Sequence, residues 1–193
     1  MPIAKYCLAL AAGLLVALAA RAADPSGSPV VLVAKPGMGE FYRNSVLFAR
    51  PVGGGRHVGF VVNRPTPVTL AALFPEHVPS QKLTDPVFLG GPLHADSLFA
   101  VIRRDESPGG RSIPLAKDMF LVMDVETVDR VIEQNRNDAR FYVGLVLWQP
   151  GELESEVERG FWYVLDHDAA LVFRKTTDGL WEELVRRSSQ RVM

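Results

Sequence analysis

His57-Val58-Gly59-Phe60-Val61-Val62-Asn63-Arg64-Pro65-Thr66-Pro67 and its counterpart Phe88-Leu89-Gly90-Gly91-Pro92-Leu93 set the architecture of this chain. Each is an apolar run that stops at residues forcing a turn. Val58 to Val62 contains no polar member, which suits a strand covered on both faces. Pro65 and Pro67 lack ladder donors and push their predecessors toward extended geometry, so the 63–67 segment is read as a turn that ends the strand. Gly90-Gly91-Pro92 ends the second run in the same way. Two buried strands stopping at one level bring their turns together, at one end of a curved sheet. The turn residues Asn63, Arg64, Pro65, Gly90, Gly91 and Pro92 are therefore the leading binding candidates. Clustered backbone N–H groups there can hold an anion, whereas Asn63 in an Asx turn would be structural, bonding backbone in its own turn or the opposite one.

Around these runs the chain reads as short strands with few long crossovers. Val30 to Ala34 and Ser45 to Ala49 are strands, and Gly53-Gly54-Gly55-Arg56 joins the second to the 57–63 strand as a hairpin. Thr69 caps a helical turn stopped by Pro75, and Pro79 to Asp85 is loop. Val87 to Leu89, Leu98 to Ile102 and Met119 to Met123 are strands, with a loop over 105–112. Asp124 caps a helix whose apolar stripe is Val125, Val128, Val131 and Ile132. Phe141 to Trp148, the most hydrophobic stretch after the N-terminal segment, is a central strand. Pro150 opens a helix that runs to about Arg159 and stops at Gly160. A strand over 161–165, a short docked segment with Leu171 and Phe173, and an amphipathic helix over 180–187 complete the chain. This pattern is α+β: one domain with a curved, largely antiparallel or mixed sheet, open or barrel-like, and helices packed around it.

The first residues differ from the rest. Lys5 precedes an uncharged apolar run from Tyr6 to Ala20, and Ala20-Arg21-Ala22 places small residues where a signal peptidase reads. Residues 1–22 are expected to be a secretory signal cleaved near Ala22. Residues 23–29 are then a flexible leader and 30–193 the folded domain, in a periplasmic or secreted protein. The apolar run is shorter than the roughly 20 residues needed to span a bilayer, so no stable membrane insertion is expected after cleavage. Cleavage removes Lys5, Arg21 and Cys7, leaving 19 basic against 22 acidic residues, a net charge of −3. That charge argues against a nucleic-acid partner. Without cysteine, the mature chain has no disulfide, thiol nucleophile or cysteine-ligated metal.

Four histidines remain, His57, His77, His94 and His167, and none forms a recognised metal-ligand spacing. His94-Ala95-Asp96 follows the Gly90 turn and, with His57, offers a candidate acid–base or metal-assisted site; the plainer reading is three residues at the rim of turns. No Gly-x-Ser-x-Gly elbow is present. Glu152, Glu154, Glu156 and Glu158 crowd one short helix, where each i,i+4 pair costs about 0.2–0.5 kcal/mol. That crowding fits a solvated face, a basic partner or a cation. No cofactor is called for.

Four blocks taken together resemble the YqgE/AlgH family. They are Val33-Ala34-Lys35-Pro36-Gly37-Met38, the 58–65 run, Gly90-Gly91-Pro92-Leu93, and Trp148-Gln149-Pro150-Gly151-Glu152-Leu153-Glu154. Order and spacing match from about Val30 to the C-terminus. The departures are Arg64 for the usual Lys, Leu93 for Val and Glu152 for Gln. The resemblance implies a fold, a structural role for Trp148, Pro150, Gly151 and Glu154, and no defined activity. The family carries a transcriptional-regulator label, which conflicts here with the export signal and the acidic charge. The expected function is a non-enzymatic domain that binds a protein or small ligand through the 63–67 and 90–96 loops. The alternative is a hydrolase or other enzyme using His57, His94 and Asp96.

Overall fold

The computed structural model describes residues 27–134 and 138–190. The predicted signal over 1–22 and most of the 23–29 leader lie outside the described residues. Within them the chain forms β1 (Val30–Ala34), β2 (Val46–Gly53), β3 (Arg56–Val61), β4 (Pro65–Thr69), α1 (Leu70–Leu73), β5 (Pro86–Leu89), β6 (Leu93–Arg103), β7 (Ser112–Ala116) and β8 (Met119–Val122). There follow α2 (Val125–Glu133), β9 (Ala139–Trp148), α3 (Glu152–Glu158), β10 (Trp162–Asp166), α4 (Ala169–Val172) and α5 (Leu180–Ser189). Single 3-10 turns cover Glu40–Tyr42 and Val78–Lys82. The domain is α+β, with a curved, largely antiparallel sheet in the order β10-β1-β2-β3-β9-β6-β8-β7 and helices around it. The one parallel pairing among the described residues joins β5 to β9.

Alternation along the strands sends side chains to two faces. The inner face collects Val31, Val33, Phe48, Phe60, Tyr142 and Leu121, closed by Leu180 and Leu184 of α5. Phe48, Phe60, Tyr142 and Phe88 run as ring contacts across four strands, with centroids 5.5, 4.7 and 5.7 Å apart. The outer face is split between two helices. Leu153 of α3 packs on Leu32, Leu47, Val61, Trp148 and Trp162. Val128, Val131 and Ile132 of α2 pack on Val87, Ala100, Ile102 and Phe141.

Gly144 makes this split possible. Phe141 faces outward and Tyr142 inward, yet Leu145 is inward and Val146 outward. The alternation slips by one residue at Gly144, whose φ of +72° suits only glycine without strain. Both halves of β9 thereby keep an outward apolar set.

Four expectations need correction. Residues 65–69 are not a simple turn: Pro65–Thr69 forms β4, antiparallel to β5. Its prolines are tolerated because β4 pairs only with β5 and needs no donor on its free side. His94 and Asp96 are not on a loop but in the first part of β6, where the pairing with β9 is irregular between Leu93 and Leu98. Val125 is 85% exposed. The buried stripe of α2 centres on Thr127, Val128, Val131 and Ile132, about a quarter turn away at 100° per residue. Pro150 precedes α3, whose N-cap is Gly151 at φ +78°. The strand β7 was not anticipated; as the last strand in the order it carries Pro114 at an edge.

Candidate functional site

Strands β3 and β5 run toward one another along the same side of β9, one antiparallel and one parallel to it. Their ends therefore meet. Val61 N–H donates to Gly90 O (2.8 Å), and Leu89 N–H donates to Arg64 O (2.9 Å). Gly90 and Gly91 press on the backbone of β9, where an added Cβ would collide with Gly144 O and with Leu145. The two predicted turns are thus neighbours. Pro92 beyond them is exposed, and Pro65 opens β4.

The side chains of Asn63 and Arg64 reach neither turn, which corrects the expected Asx geometry. Asn63 Oδ1 accepts from Val46 N–H (2.8 Å), and its Nδ2 donates to Asn44 O (2.9 Å). The hairpin register explains this: Val61 lies opposite Leu47, so Asn63 falls beside the chain entering β2. Arg64 donates through Nη2 to Phe41 O and to Ser45 Oγ, both at 2.6 Å, and its guanidinium stacks on the Phe41 ring at 5.0 Å. Burial lowers the pKa of Arg64 from its ordinary value, while the nearby Tyr42 acts the other way. Both residues spend their bonding capacity on the 41–46 segment.

His57 is buried on β3, opposite Pro51 and Trp148, whereas His94 and Asp96 are exposed. Asp96 accepts from the Ser97 hydroxyl at 3.2 Å. His94 sits at φ +53°. His57 thus occupies a different environment from the other two candidates.

What Asn63 and Arg64 hold in place is one wall of a cavity of about 500 Å³. Lys35, Pro36, Gly37, Met38, Gly39 and Tyr42 line one side, and Glu156, Gly160 and Phe161 the other. The loop is pinned by Lys35 N–H to Phe161 O (2.9 Å) and by Trp181 Nε1 to Ala34 O (2.7 Å). Glu156 Oε2 accepts from both Trp148 Nε1 (3.0 Å) and Trp162 Nε1 (2.8 Å). Trp148 in turn lies over Gly59, the one residue type that leaves room for its ring. Tyr42 meets Trp162 edge-on at 5.3 Å. Burial, then the Glu156 and Glu152 carboxylates, push its phenol up to about 12. Lys35 Nζ stands 5.0 Å over the Tyr163 ring. A cation, a phenol and a carboxylate thus converge beside apolar Met38 and Phe161.

The fourth block lies behind this cavity and supports it through the bond from Trp148 to Glu156. Trp148 is fully buried, Gly151 supplies the left-handed N-cap, and Pro150 rests against Gly55. Glu152 accepts from Gln149 N–H at 2.8 Å, while Glu154 keeps one carboxylate oxygen out of solvent without a hydrogen-bond partner. Glu156 entered the sequence reading only within the glutamate cluster and Lys35 only within a motif block, and Tyr42 was not singled out. One signal was available: Leu153, Glu156 and Val157 share a helical face at i, i+3, i+4, so Glu156 belongs to the inward stripe.

A second group was also missed. His77, at the start of the Val78–Lys82 turn, faces Asp129 and Glu133 of α2, with one ligand atom from each lying within 4.8 Å of the others. No local spacing links residue 77 to residues 129 and 133. No helix among the described residues is long and apolar enough to cross a membrane.

Comparison with known proteins agrees with this architecture. A UPF0301 protein of Anaeromyxobacter sp. is 32% identical over 182 residues, covering 84% of this chain and 89% of the relative. A UPF0301 protein of Streptomyces avermitilis is 31% identical, covering 81% and 84%. Among solved structures, protein DIP2367 from Corynebacterium diphtheriae superposes with a TM-score of 0.69 at 23% identity, over 86% of this chain and 89% of that one. AlgH from Pseudomonas aeruginosa, a UPF0301 protein, does so with 0.67 at 20%, over 84% and 87%; at these identities the likeness shows the fold. The profile described as AlgH-like (DUF179) matches residues 31–192, and the chain belongs to that family.

Proposed function

We propose that this chain is a non-enzymatic binding domain that takes a small ligand or short peptide segment in the cavity between the Lys35–Gly39 loop and α3. The meeting of Lys35, Tyr42 and Glu156 around one concave space carries the reading. The volume falls in the range of small-ligand sites, roughly 300–1,000 Å³. Lys35 suits an anionic group, and Met38 and Phe161 suit an apolar body beside it. Glu156 is tied to two indoles, so it acts as a fixed acceptor and not as a free base. Asn63 and Arg64 contribute by holding the wall that carries Tyr42.

Gly39 supplies a clean test. Its backbone is not left-handed and an added Cβ meets nothing within 4 Å, so Gly39→Phe brings a ring to the cavity lining with no clash at Cβ. The isotope-labelled protein is titrated with a panel of small carboxylates and short peptides while its amide spectrum is followed. Shifts should cluster at Gly37, Gly39, Gly160 and Phe161 and vanish in Gly39→Phe. Shifts centred on 93–96, or unaffected by that substitution, would move the site elsewhere. Export belongs to the same reading: the natural product should begin at Ala23 on N-terminal sequencing, and an intact Met1 in a cytoplasmic fraction would end that part of it.

A further inference from the structure

We propose that His77, Asp129 and Glu133 form a site for a divalent transition metal of the zinc class, which ties α2 to the 74–82 segment. The site is on the other helix of the outer face and is independent of the cavity at α3. Its ligand atoms are His77 Nε2 and one carboxylate oxygen from each acid, all within 4.8 Å of one another. His77 Nε2 lies 3.3 Å from Asp129 Oδ1. Metal bonds of roughly 2.1 Å at tetrahedral angles set neighbouring ligand atoms about 3.4 Å apart, so this pair already stands at ligand spacing. Glu133 is exposed and reaches the same point by a side-chain rotation.

Three features favour a cation there. Asp129 and Glu133 are four residues apart on α2, so their charges face one another across one helical turn. Glu133 is the last residue of α2, where the negative end of the helix dipole opposes a carboxylate and favours a positive charge. The third feature is the orientation of the imidazole. His77 Nδ1 is 2.8 Å from the hydroxyl of Ser80, which is fully buried. The contact serves either tautomer, and in the one that donates Nδ1–H to Ser80 the Nε2 lone pair is free for a metal 3.3 Å from a carboxylate oxygen. A hydrogen bond at the second ring nitrogen orients a ligating imidazole, and the buried Ser80 hydroxyl supplies one here. An imidazole with two carboxylates suits zinc, cobalt or nickel better than calcium, which takes six or more oxygens. Three protein ligands leave a fourth position for water.

The test uses the full chain with Zn²⁺ and Co²⁺ as probes. Calorimetric titration should show one equivalent of Zn²⁺ bound, Co²⁺ should give visible bands of low-symmetry coordination, and Zn²⁺ should raise the thermal midpoint. His77→Ala should weaken binding more than about 100-fold, and Asp129→Asn and Glu133→Gln should each weaken it at least tenfold. Ser80→Ala, which leaves every ligand in place, should cost about 10- to 100-fold. His94→Ala, at an exposed histidine outside the site, should change nothing. All these variants, including Ser80→Ala at a buried position, should fold, as circular dichroism checks. Absence of binding at millimolar Zn²⁺ would overturn the proposal. So would binding that survives His77→Ala, or binding lost with His77 but indifferent to both acids, which would reduce the group to an ordinary ion pair.

Discussion

The two helices on the outer face of the sheet treat their carboxylates in opposite ways. On α3, Glu156 turns inward and takes two indole N–H donors, so its charge is spent inside the packing. On α2, Asp129 and Glu133 turn outward beside His77, at the margin of the segment the helix covers. Both helices carry the same kind of residue at the same kind of spacing. What differs is the surface beneath. Two tryptophans under α3 offer buried donors that would be costly to leave unpaired, whereas the strands under α2 offer only aliphatic and phenyl groups. A helical carboxylate becomes part of the architecture where a donor waits for it, and remains available to a ligand where none does.

The largest expected effect comes from breaking the seam between these regions. Gly91→Ala drives a methyl into the backbone of β9 at Leu145 and should cost about 3 kcal/mol or more in denaturant melts. A loss under about 1 kcal/mol would mean that the two halves of β9 tolerate separation. Next is Asn63→Ala on the α3 side. It removes the acceptor of Val46 N–H and the donor to Asn44 O, and should cost about 1–3 kcal/mol. Unchanged stability with altered ligand binding would return Asn63 to a direct binding role. Glu133→Ala on the α2 side should leave metal-free stability unchanged within error, which is the sharpest form of the contrast.

A smaller effect concerns Glu156 and Tyr42. Glu156→Gln keeps an acceptor but gives up charge-assisted bonds, so about 1 kcal/mol should be lost. Tyr42 titrates near 12 in the fold against an ordinary value of 10.0, so the fold favours its neutral form. That contribution is complete below pH 10 and disappears as pH rises toward about 12. Ultraviolet titration should show two late-ionising phenols, since burial also pushes Tyr142 up, and Tyr42→Phe should remove one of them. Glu156→Gln should lower the Tyr42 midpoint only in part, because burial is the leading cause. An unshifted Tyr42 phenol would remove the closed wall from the description of the cavity.

The smallest effect expected is none. Among their residues α2 carries one basic side chain, Arg130, and α3 carries none. With a net charge of −1 for the whole chain, neither region should show salt-dependent DNA affinity. Tight, salt-sensitive binding in an anisotropy titration would contradict this.

The sequence by itself determined the elements whose signals are local. Continuous apolar runs marked β1, β2, β3, β8 and β9, three glycines marked the β2–β3 hairpin, and Asp124 and Thr69 marked helix starts where their side chains do cap. It also marked the neighbouring turns at Asn63 and Gly90, because strands buried on both faces that stop abruptly must stop against something. Only the tertiary structure decided what those turns serve. Asn63 and Arg64 read locally as a turn, but antiparallel register carries them beside residues 41–46, about twenty positions earlier. Lys35 and Glu156 come to line one cavity, and His77 meets Asp129, through pairings and helix packing that leave no mark on local spacing. The prolines of β4 and β7 reveal their strands only once edge positions are known, since a missing donor matters only where a neighbour asks for it. Periodicity reports which side of an element is buried. It does not report which distant element buries it, and in this protein both proposed sites are made of such meetings.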